Sequence, residues 1–271
     1  MKTLREHVIL YDEACPMCNL YTSAFVKYKF LDKQGRASYQ NMPKQFTCNI
    51  DAKRAVNEIA LVNKKTGEVT YGVNSLIKIL SQRFPVFKLV FQFKVFNWLA
   101  TKAYRFVSYN RRIIMPALHK QEEQHEPSLH KGYRIAYLLL TWLFTALVLN
   151  AYSKTFTELL PPSTIARELF ICGGQMLWQG AILYCFNRKK IWDYLGNMMT
   201  ISFAGALLLS ICLLFQSLFI TYNSLIAIIL FFVVVGLMFL EHIRRTKLLQ
   251  LPWLLTASWV LYRCIVLIFI L

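Results

Sequence analysis

The chain has 271 residues, of which 56% are hydrophobic, and its mean hydropathy of +0.40 is high for a soluble protein. Residues 1–131 hold 21 basic and 10 acidic residues, a net charge of +11, whereas residues 194–240 contain no Asp, Glu, Lys, Arg or His. A bilayer-spanning helix needs roughly 20 apolar residues, so that tract alone can cross twice. The composition excludes a wholly soluble protein and predicts a membrane protein with a soluble, basic front domain.

The front domain alternates strands and helices. It opens with a buried strand, Val8–Tyr11, and a helix, Cys15–Leu31. A turn at residues 32–35 and a hairpin at residues 64–67 separate the later elements, which are predicted as strands Arg36–Met42, Glu58–Val62 and Val69–Tyr71 and a helix Val73–Phe84. This order predicts a small mixed sheet covered by helices, an α/β architecture that is similar to thioredoxin.

Two cysteines, Cys15 and Cys18, lie at the junction between the first predicted strand and the first predicted helix. A helix N-terminus favours negative charge, so it lowers the pKa of a thiol placed there. We expect Cys15 to be the more exposed, attacking thiol and Cys18, one turn further on, to be the resolving thiol. Asp12 is a candidate proton relay for this pair, and its other interpretation is a helix cap.

Two further interpretations of the cysteine pair stay open. A zinc site needs four ligands, and the sequence offers Cys48 as a third ligand but no second C-x-x-C or C-x-x-H. An inactive, purely structural pair is the other alternative. The redox interpretation is the strongest of the three, and it requires no metal and no organic cofactor.

Residues 7–115 resemble the DCC family of thiol-disulfide oxidoreductases, which is named for its Asp-x-x-Cys-x-x-Cys signature. Asp12, Cys15 and Cys18 fill that signature, and Glu13-Ala14 departs from the glycine that usually follows the Asp. The chain also resembles the family at later positions, namely residues 58–62, residues 71–76, Tyr104 and Asn110-Arg111. The resemblance implies a thioredoxin-like fold and redox activity, with a thiol or disulfide substrate and an electron donor that it does not define.

Thioredoxin-like proteins carry a cis-proline just before the third strand, opposite the cysteines. The corresponding residues here, 55–58, contain no proline. Substrate docking is therefore expected to differ from that of thioredoxin.

The segment from Pro85 to Met115 interleaves aromatic and basic residues. These are Phe87, Phe91, Trp98 and Phe106 with Lys88, Lys94, Lys102, Arg105, Arg111 and Arg112. The segment suits a position on a membrane surface, with cations near anionic headgroups, or it closes the soluble fold. Tethering beside a membrane disfavours nucleic-acid binding.

A polar linker, residues 116–132, separates the front domain, residues 1–115, from a membrane domain, residues 133–271. Five transmembrane helices are predicted in that domain: Tyr133–Tyr152, Leu169–Phe186, Leu195–Phe219, Tyr222–Leu240 and Pro252–Leu271. The second is the weakest, because glycines and glutamines interrupt it. The fold class is thus an α/β thioredoxin-like domain followed by an all-α transmembrane bundle.

Loop charges predict the orientation. The basic residues 188–190 lie between spans two and three, and Arg244, Arg245 and Lys247 lie between spans four and five. Five spans with both basic loops inside place the N-terminus in the cytoplasm, which agrees with the absence of a recognisable signal peptide. We expect a multi-pass inner-membrane protein with its C-terminus on the opposite side.

The polar residues predicted within the spans have mostly structural interpretations. Cys172, Cys185, Cys212 and Cys264 lack close partners and are interpreted as packing residues. Cys172, Gln175 and Gln179 share one helical face, which favours helix–helix hydrogen bonding over a quinone site. Arg263 is expected to snorkel or to pair with a buried acceptor.

The sequence therefore predicts a membrane-anchored enzyme that exchanges thiols and disulfides through Cys15 and Cys18. The alternative is a membrane scaffold or binding protein whose front domain is catalytically idle.

Overall fold

A computed structural model describes residues 3–40, 50–117, 127–157, 163–218 and 223–270, together with Pro161. The chain divides into two compact units, residues 1–133 and residues 134–271.

The first unit is built on a four-stranded mixed sheet. Its strands are β1 (His7–Tyr11), β2 (Arg36–Ser38), β3 (Ala60–Asn63) and β4 (Val69–Tyr71), and its helices are α1 (Pro16–Lys27), α2 (Ala52–Asn57), α3 (Val73–Ser81), α4 (Pro85–Gln92) and α5 (Lys94–Ile114). The strand order is β2-β1-β3-β4, with β1 parallel to β2 and antiparallel to β3, and with β3 antiparallel to β4. This confirms the predicted thioredoxin-like class.

The sheet is covered on both faces. Side chains alternate along β1, so Ile9 faces a core formed with α1, α3 and α5, while Val8 and Leu10 face a second core formed with α2. Four of the five residues of β1 are buried, as its continuous apolar run predicts. The chain continues from the carboxyl end of this central strand through a turn to the two cysteines.

Several elements differ from the prediction. Strand β3 begins at Ala60 rather than at Glu58, and helix α3 ends at Ser81 rather than at Phe84. Helix α2 was missed, and it begins because the Asp51 carboxylate accepts a hydrogen bond from Arg54 N at 3.1 Å. Strand β2 ends at Ser38, and the predicted end, Met42, lies outside the described residues. Helix α1 stops at Lys27, because Lys29 adopts a positive φ of 59° that breaks the helix.

Helices α4 and α5 occupy the segment that is rich in aromatic and basic residues. Helix α4 buries no residue completely, whereas the second half of α5 buries Ser108, Asn110, Arg111 and Ile113. The second half of α5 therefore closes the fold, as one interpretation of this segment predicted, whereas the membrane-surface interpretation of α4 and the first half of α5 stays a prediction.

The second unit is helical. Its helices are α6 (Lys131–Ser153), α7 (Ile165–Phe186), α8 (Ile191–Leu218), α9 (Ser224–Leu248) and α10 (Leu254–Ile270), with short 3-10 helices at Lys154–Phe156 and Arg188–Lys190. Among the described residues, four helical segments are long and apolar enough to cross a bilayer: Lys131–Phe156, Ile165–Phe186, Arg188–Leu218 and Ser224–Leu248. The chain is therefore a membrane protein. Helix α10 is apolar but shorter, so its role as a fifth span stays a prediction.

Helix α9 runs further than the sequence predicted. The expected loop from Glu241 onward is helical through Leu248, and the chain leaves the helix near Gln250, whose φ is 52°. Glu241 pairs with Arg244 at 2.6 Å and with Arg245 at 2.7 Å. Ion pairs at these helical spacings support the added turns.

Helix-to-helix hydrogen bonding was expected from the polar face of α7, and Gln179 provides it. Its amide nitrogen donates to Ser258 Oγ at 3.1 Å on α10, and its amide oxygen accepts from Tyr194 on α8 at 2.8 Å. Gln175 is equally buried, but its amide has no hydrogen-bond partner among the described residues. The guanidinium of Arg263 lies 5.4 Å from the centre of the Trp259 ring.

The cysteines of the second unit are free thiols. Cys172 is buried, Cys212 is partly exposed, and Cys185 and Cys264 are exposed. The packing interpretation therefore fits the buried Cys172, whereas the exposed Cys185 and Cys264 do not pack within the described residues.

Candidate redox site at the start of helix α1

Cys15 is the N-cap residue of α1. Its backbone is extended, with φ −90° and ψ 110°, and its Sγ accepts a hydrogen bond from Cys18 N at 3.4 Å. Pro16 occupies the first helical position, where no backbone N–H is needed. The backbone N–H of Cys15 donates to the Asp12 carbonyl at 3.1 Å, which fixes the turn between β1 and α1. The helix N-terminus is thus aimed at the Cys15 sulfur.

Both thiols are free and buried. Cys15 has 0% of its surface exposed and Cys18 has 3%, so the expectation that Cys15 is the more exposed thiol is wrong. The physical reason is that residues distant in sequence pack over this corner. Gln40 and Arg111 both contact the Asp12 side chain there, and a local pattern cannot reveal such contacts.

The two thiols differ strongly in acidity. A hydrogen bond from the Cys18 side chain is the main cause that lowers the pKa of Cys15 to about 6, and burial opposes it. The Cys18 backbone N–H and the Arg111 charge lower this pKa further, whereas the Asp12 charge raises it. The same thiol–thiol hydrogen bond, aided by burial, raises the pKa of Cys18 far above its usual range. Cys15 is therefore the thiolate of the pair.

This acidity has a consequence for stability. Because the pKa of Cys15 is lower in the folded than in the unfolded state, its thiolate stabilises the reduced protein. That contribution is complete above the unfolded pKa and is lost as the pH falls through about 6.

The Asp12 carboxylate is held between two guanidinium groups. Its Oδ2 accepts from Arg112 at 2.6 Å and from Arg111 at 3.4 Å, and its Oδ1 accepts from Gln40 at 2.8 Å. The N-cap position belongs to Cys15, so the helix-cap interpretation of Asp12 is wrong. These three donors keep their protons at neutral pH, an arrangement that favours a positioning role over proton relay.

Arg111 connects the redox corner to the segment before β3. Its guanidinium donates to the carbonyls of Val56 at 2.6 Å and Asn57 at 3.1 Å, in addition to Asp12. The guanidinium thus occupies backbone acceptors in the stretch where thioredoxin-like proteins place their cis-proline. The described part of the chain contains no cis peptide bond. Substrate docking here cannot use that feature.

A small cavity of about 50 Å³ borders the site. Its lining includes Cys18, Tyr21, Tyr39, Tyr104 and Arg111, but not Cys15. Burial raises the pKa of Tyr104 to about 12, so this phenol remains neutral at physiological pH. The cavity has room for a few waters and is far smaller than the roughly 300 Å³ of the smallest typical ligand pockets.

The main residue that sequence reasoning missed is Arg111, which was noted only as a family mark and as one of the basic residues of the segment from Pro85 to Met115. Arg112, Gln40, Tyr21 and Tyr39 were also not identified as members of the site. One signal was available: residues 69–121 contain no acidic residue, so any carboxylate that pairs with the adjacent arginines lies far away in the sequence. No cluster of three or more His, Cys, Asp or Glu occurs in the described ranges, and Cys48 lies outside them.

Residues 9–116 match the family model of the DCC1-like thiol-disulfide oxidoreductases. The chain therefore carries a DCC1-like domain, followed by the four helices that are long and apolar enough to cross a membrane. No curated protein and no solved structure was found to match the chain.

We expect Arg111→Gln to raise the pKa of Cys15 above about 6, because the variant removes a positive charge that stabilises the thiolate. Arg112→Gln is the matched control, since Arg112 shares Asp12 but is not a main cause of the shift. The measurement is the pH dependence of Cys15 alkylation by iodoacetamide, followed by mass spectrometry on the full chain. Equal shifts in both variants would refute a specific role for Arg111.

Asp12→Asn removes the carboxylate that two arginines share, only 1% of which is exposed. Breaking one side of a buried ion pair costs about 3–5 kcal/mol, so we expect a clear loss of stability in thermal denaturation. The pKa of Cys15 should fall further, because the Asp12 charge raises it. Unchanged stability with slower exchange and an altered pH–rate profile would instead support proton relay by Asp12.

Proposed function

We propose that this protein is a membrane-anchored thiol-disulfide oxidoreductase with Cys15 as nucleophile and Cys18 as resolving thiol. The main support for the proposal is the large difference in pKa between two neighbouring thiols, Cys15 and Cys18, at a helix N-terminus. Strongly shifted pKa values of this kind cluster at functional sites, and a purely structural cysteine pair does not require them. The match of residues 9–116 to an oxidoreductase family supports the same chemistry.

The reaction proceeds in two exchange steps. The Cys15 thiolate attacks a substrate disulfide, forming a mixed disulfide and releasing the first substrate thiolate. Cys18 then gives its proton to that thiolate and attacks the Cys15 sulfur, which forms the Cys15–Cys18 disulfide and releases the second substrate sulfur as a thiolate, which takes its proton from water. The substrate gains two electrons and the protein loses two, and a dithiol donor restores the reduced pair. The reverse sequence oxidises a substrate dithiol.

The gain from the lowered pKa can be estimated. At pH 7 a thiol of pKa about 6 is about nine-tenths thiolate, whereas one of pKa 9.0 is about one-hundredth thiolate. The more acidic thiolate is intrinsically less nucleophilic by about 16- to 32-fold, so the net gain is only about threefold to sixfold. Stabilisation of the thiolate also stabilises the reduced pair, which makes the corresponding disulfide more oxidising.

A second candidate function comes from the burial of the site. Cys15 has no exposed surface and does not border the cavity, so a substrate reaches it only after a local opening. This observation favours the alternative, a membrane scaffold or binding protein whose thioredoxin-like domain is idle. The acidity of Cys15 favours the oxidoreductase, and reactivity toward a disulfide distinguishes the two functions.

The proposed setting is the cytoplasmic face of an inner membrane. Four long apolar helices and the shorter α10 give five spans, with the basic residues 188–190 and the basic end of α9 on the inner side. The cytoplasm keeps thiols reduced, which suits a domain whose cysteines work as a dithiol. The bilayer is then a partner by insertion, and the thiol or disulfide substrate is reached from the cytoplasm.

We expect Cys15→Ser to abolish the reaction of the pair with a small aromatic disulfide, whereas Cys18→Ser should accumulate a mixed disulfide on Cys15. Both changes are made in the full chain with Cys185→Ser and Cys264→Ser, because those two exposed thiols would also react. The double variant alone is the control. Turnover that survives Cys15→Ser would show that the nucleophile is assigned wrongly.

The two termini should lie on opposite sides of the membrane, because five spans are odd in number. Reporter fusions at Met1 and Leu271 measure this directly, with activity expected from a cytoplasmic reporter only at Met1. Two cytoplasmic signals would mean that α10 does not cross, which its 17-residue length makes the critical case.

A further inference from the structure

The outer surface of α4 and of the first half of α5 is unusually apolar. Eight large side chains there have between 37% and 73% of their surface exposed: Val86, Leu89, Val90, Phe93, Val95, Phe96, Trp98 and Leu99. We call this surface the α4–α5 apolar face. Single exposed apolar residues are ordinary, but a contiguous set of this kind marks an interaction surface.

The helical geometry separates this face from the core. Phe87 and Phe91 form a partly buried inner row with ring centres 6.2 Å apart, and Phe87 lies 6.1 Å from Phe84, which lies 6.3 Å from Phe30 at the core. The outer row, Val86–Leu89–Val90–Phe93, recurs at spacings of three and four, so it occupies one side of the helix. The exposed side chains are therefore not needed to attach α4 to the sheet.

The charge around the face has one sign. Residues 69–121 contain no Asp or Glu, and Lys88, Lys94 and Lys102 lie within or beside the face. In the part of the chain that the structure describes, none of these three lysines forms an ion pair with a carboxylate. Lys102 Nζ lies 5.9 Å from the centre of the Trp98 ring. Large apolar side chains bordered by lysines are typical of helices that lie in a membrane interface.

We infer that the α4–α5 apolar face binds the surface of an anionic lipid bilayer, with its apolar side chains at the headgroup–acyl boundary and its lysines at the phosphates. Two observations favour a bilayer as the binding partner. The positive charge around the face complements anionic lipid, and the same chain has four helices that are long and apolar enough to cross a membrane. This inference is independent of the redox chemistry proposed above.

The test uses the full chain in nanodiscs of zwitterionic lipid with and without anionic lipid. Brominated acyl chains quench tryptophans that enter the bilayer, and the difference between wild type and Trp98→Phe isolates the Trp98 signal. We expect this signal to lose intensity in brominated lipid, most strongly when anionic lipid is present. The triple variant Lys88→Glu, Lys94→Glu, Lys102→Glu should reduce that loss.

The matched control is Lys33→Glu, Lys53→Glu, Lys64→Glu, which changes the net charge equally at exposed sites outside the face. The inference is supported if brominated lipid quenches the Trp98 signal of the control as strongly as that of wild type and quenches that of the triple variant less. A wild-type Trp98 signal that is unquenched and solvent-like overturns the inference. An unquenched but solvent-shielded signal also overturns it and indicates that protein, such as a second copy of the chain, covers the face.

Discussion

The ion pairs of Asp12 with Arg111 and Arg112 determine the geometry of the candidate site. They join the turn after β1 to the end of α5, about 100 residues away along the chain. Arg111 also holds the carbonyls before β3, so one guanidinium fixes three segments around the cysteines. Since the carboxylate and Arg111 are buried, loss of Asp12 leaves the charge of Arg111 uncompensated in the interior, whereas loss of Arg111 leaves Asp12 paired with Arg112. The position and the electrostatics of the Cys15 thiol therefore depend on contacts that no local segment provides.

The same contacts produce opposing effects on Cys15. Arg111 stabilises the thiolate and Asp12 destabilises it, while burial favours the neutral thiol. The hydrogen bond from Cys18 is the largest influence and decides the outcome in favour of the thiolate. Under the proposed function, keeping this charged sulfur within a closed site limits its reaction with chance oxidants, and access to the site, rather than acidity, selects the substrate.

Much of this arrangement can be predicted from the sequence, and the features that could not be predicted were missed for identifiable physical reasons. The alternating strands, the hairpin before Val69 and the strand-to-helix position of Cys15 are local patterns, and they predicted the sheet and the redox pair. The burial of Cys15 and the role of Arg111 arise from contacts across some 50 to 100 residues, which no periodicity encodes. Helix α2 was missed because a six-residue helix, which starts at Ala52 after the N-cap Asp51, shows too little periodicity to be recognised.

The central claim is that Cys15 and Cys18 cycle between dithiol and disulfide in the intact protein. The most direct measurement equilibrates the full chain in redox buffers of graded dithiol-to-disulfide ratio, followed by acid quenching, alkylation of free thiols and mass spectrometry of the peptide that contains both cysteines. We expect a reversible two-electron transition between the free pair and the Cys15–Cys18 disulfide. Two thiols that stay free at every ratio, or a disulfide that forms only when the protein is unfolded, would contradict it.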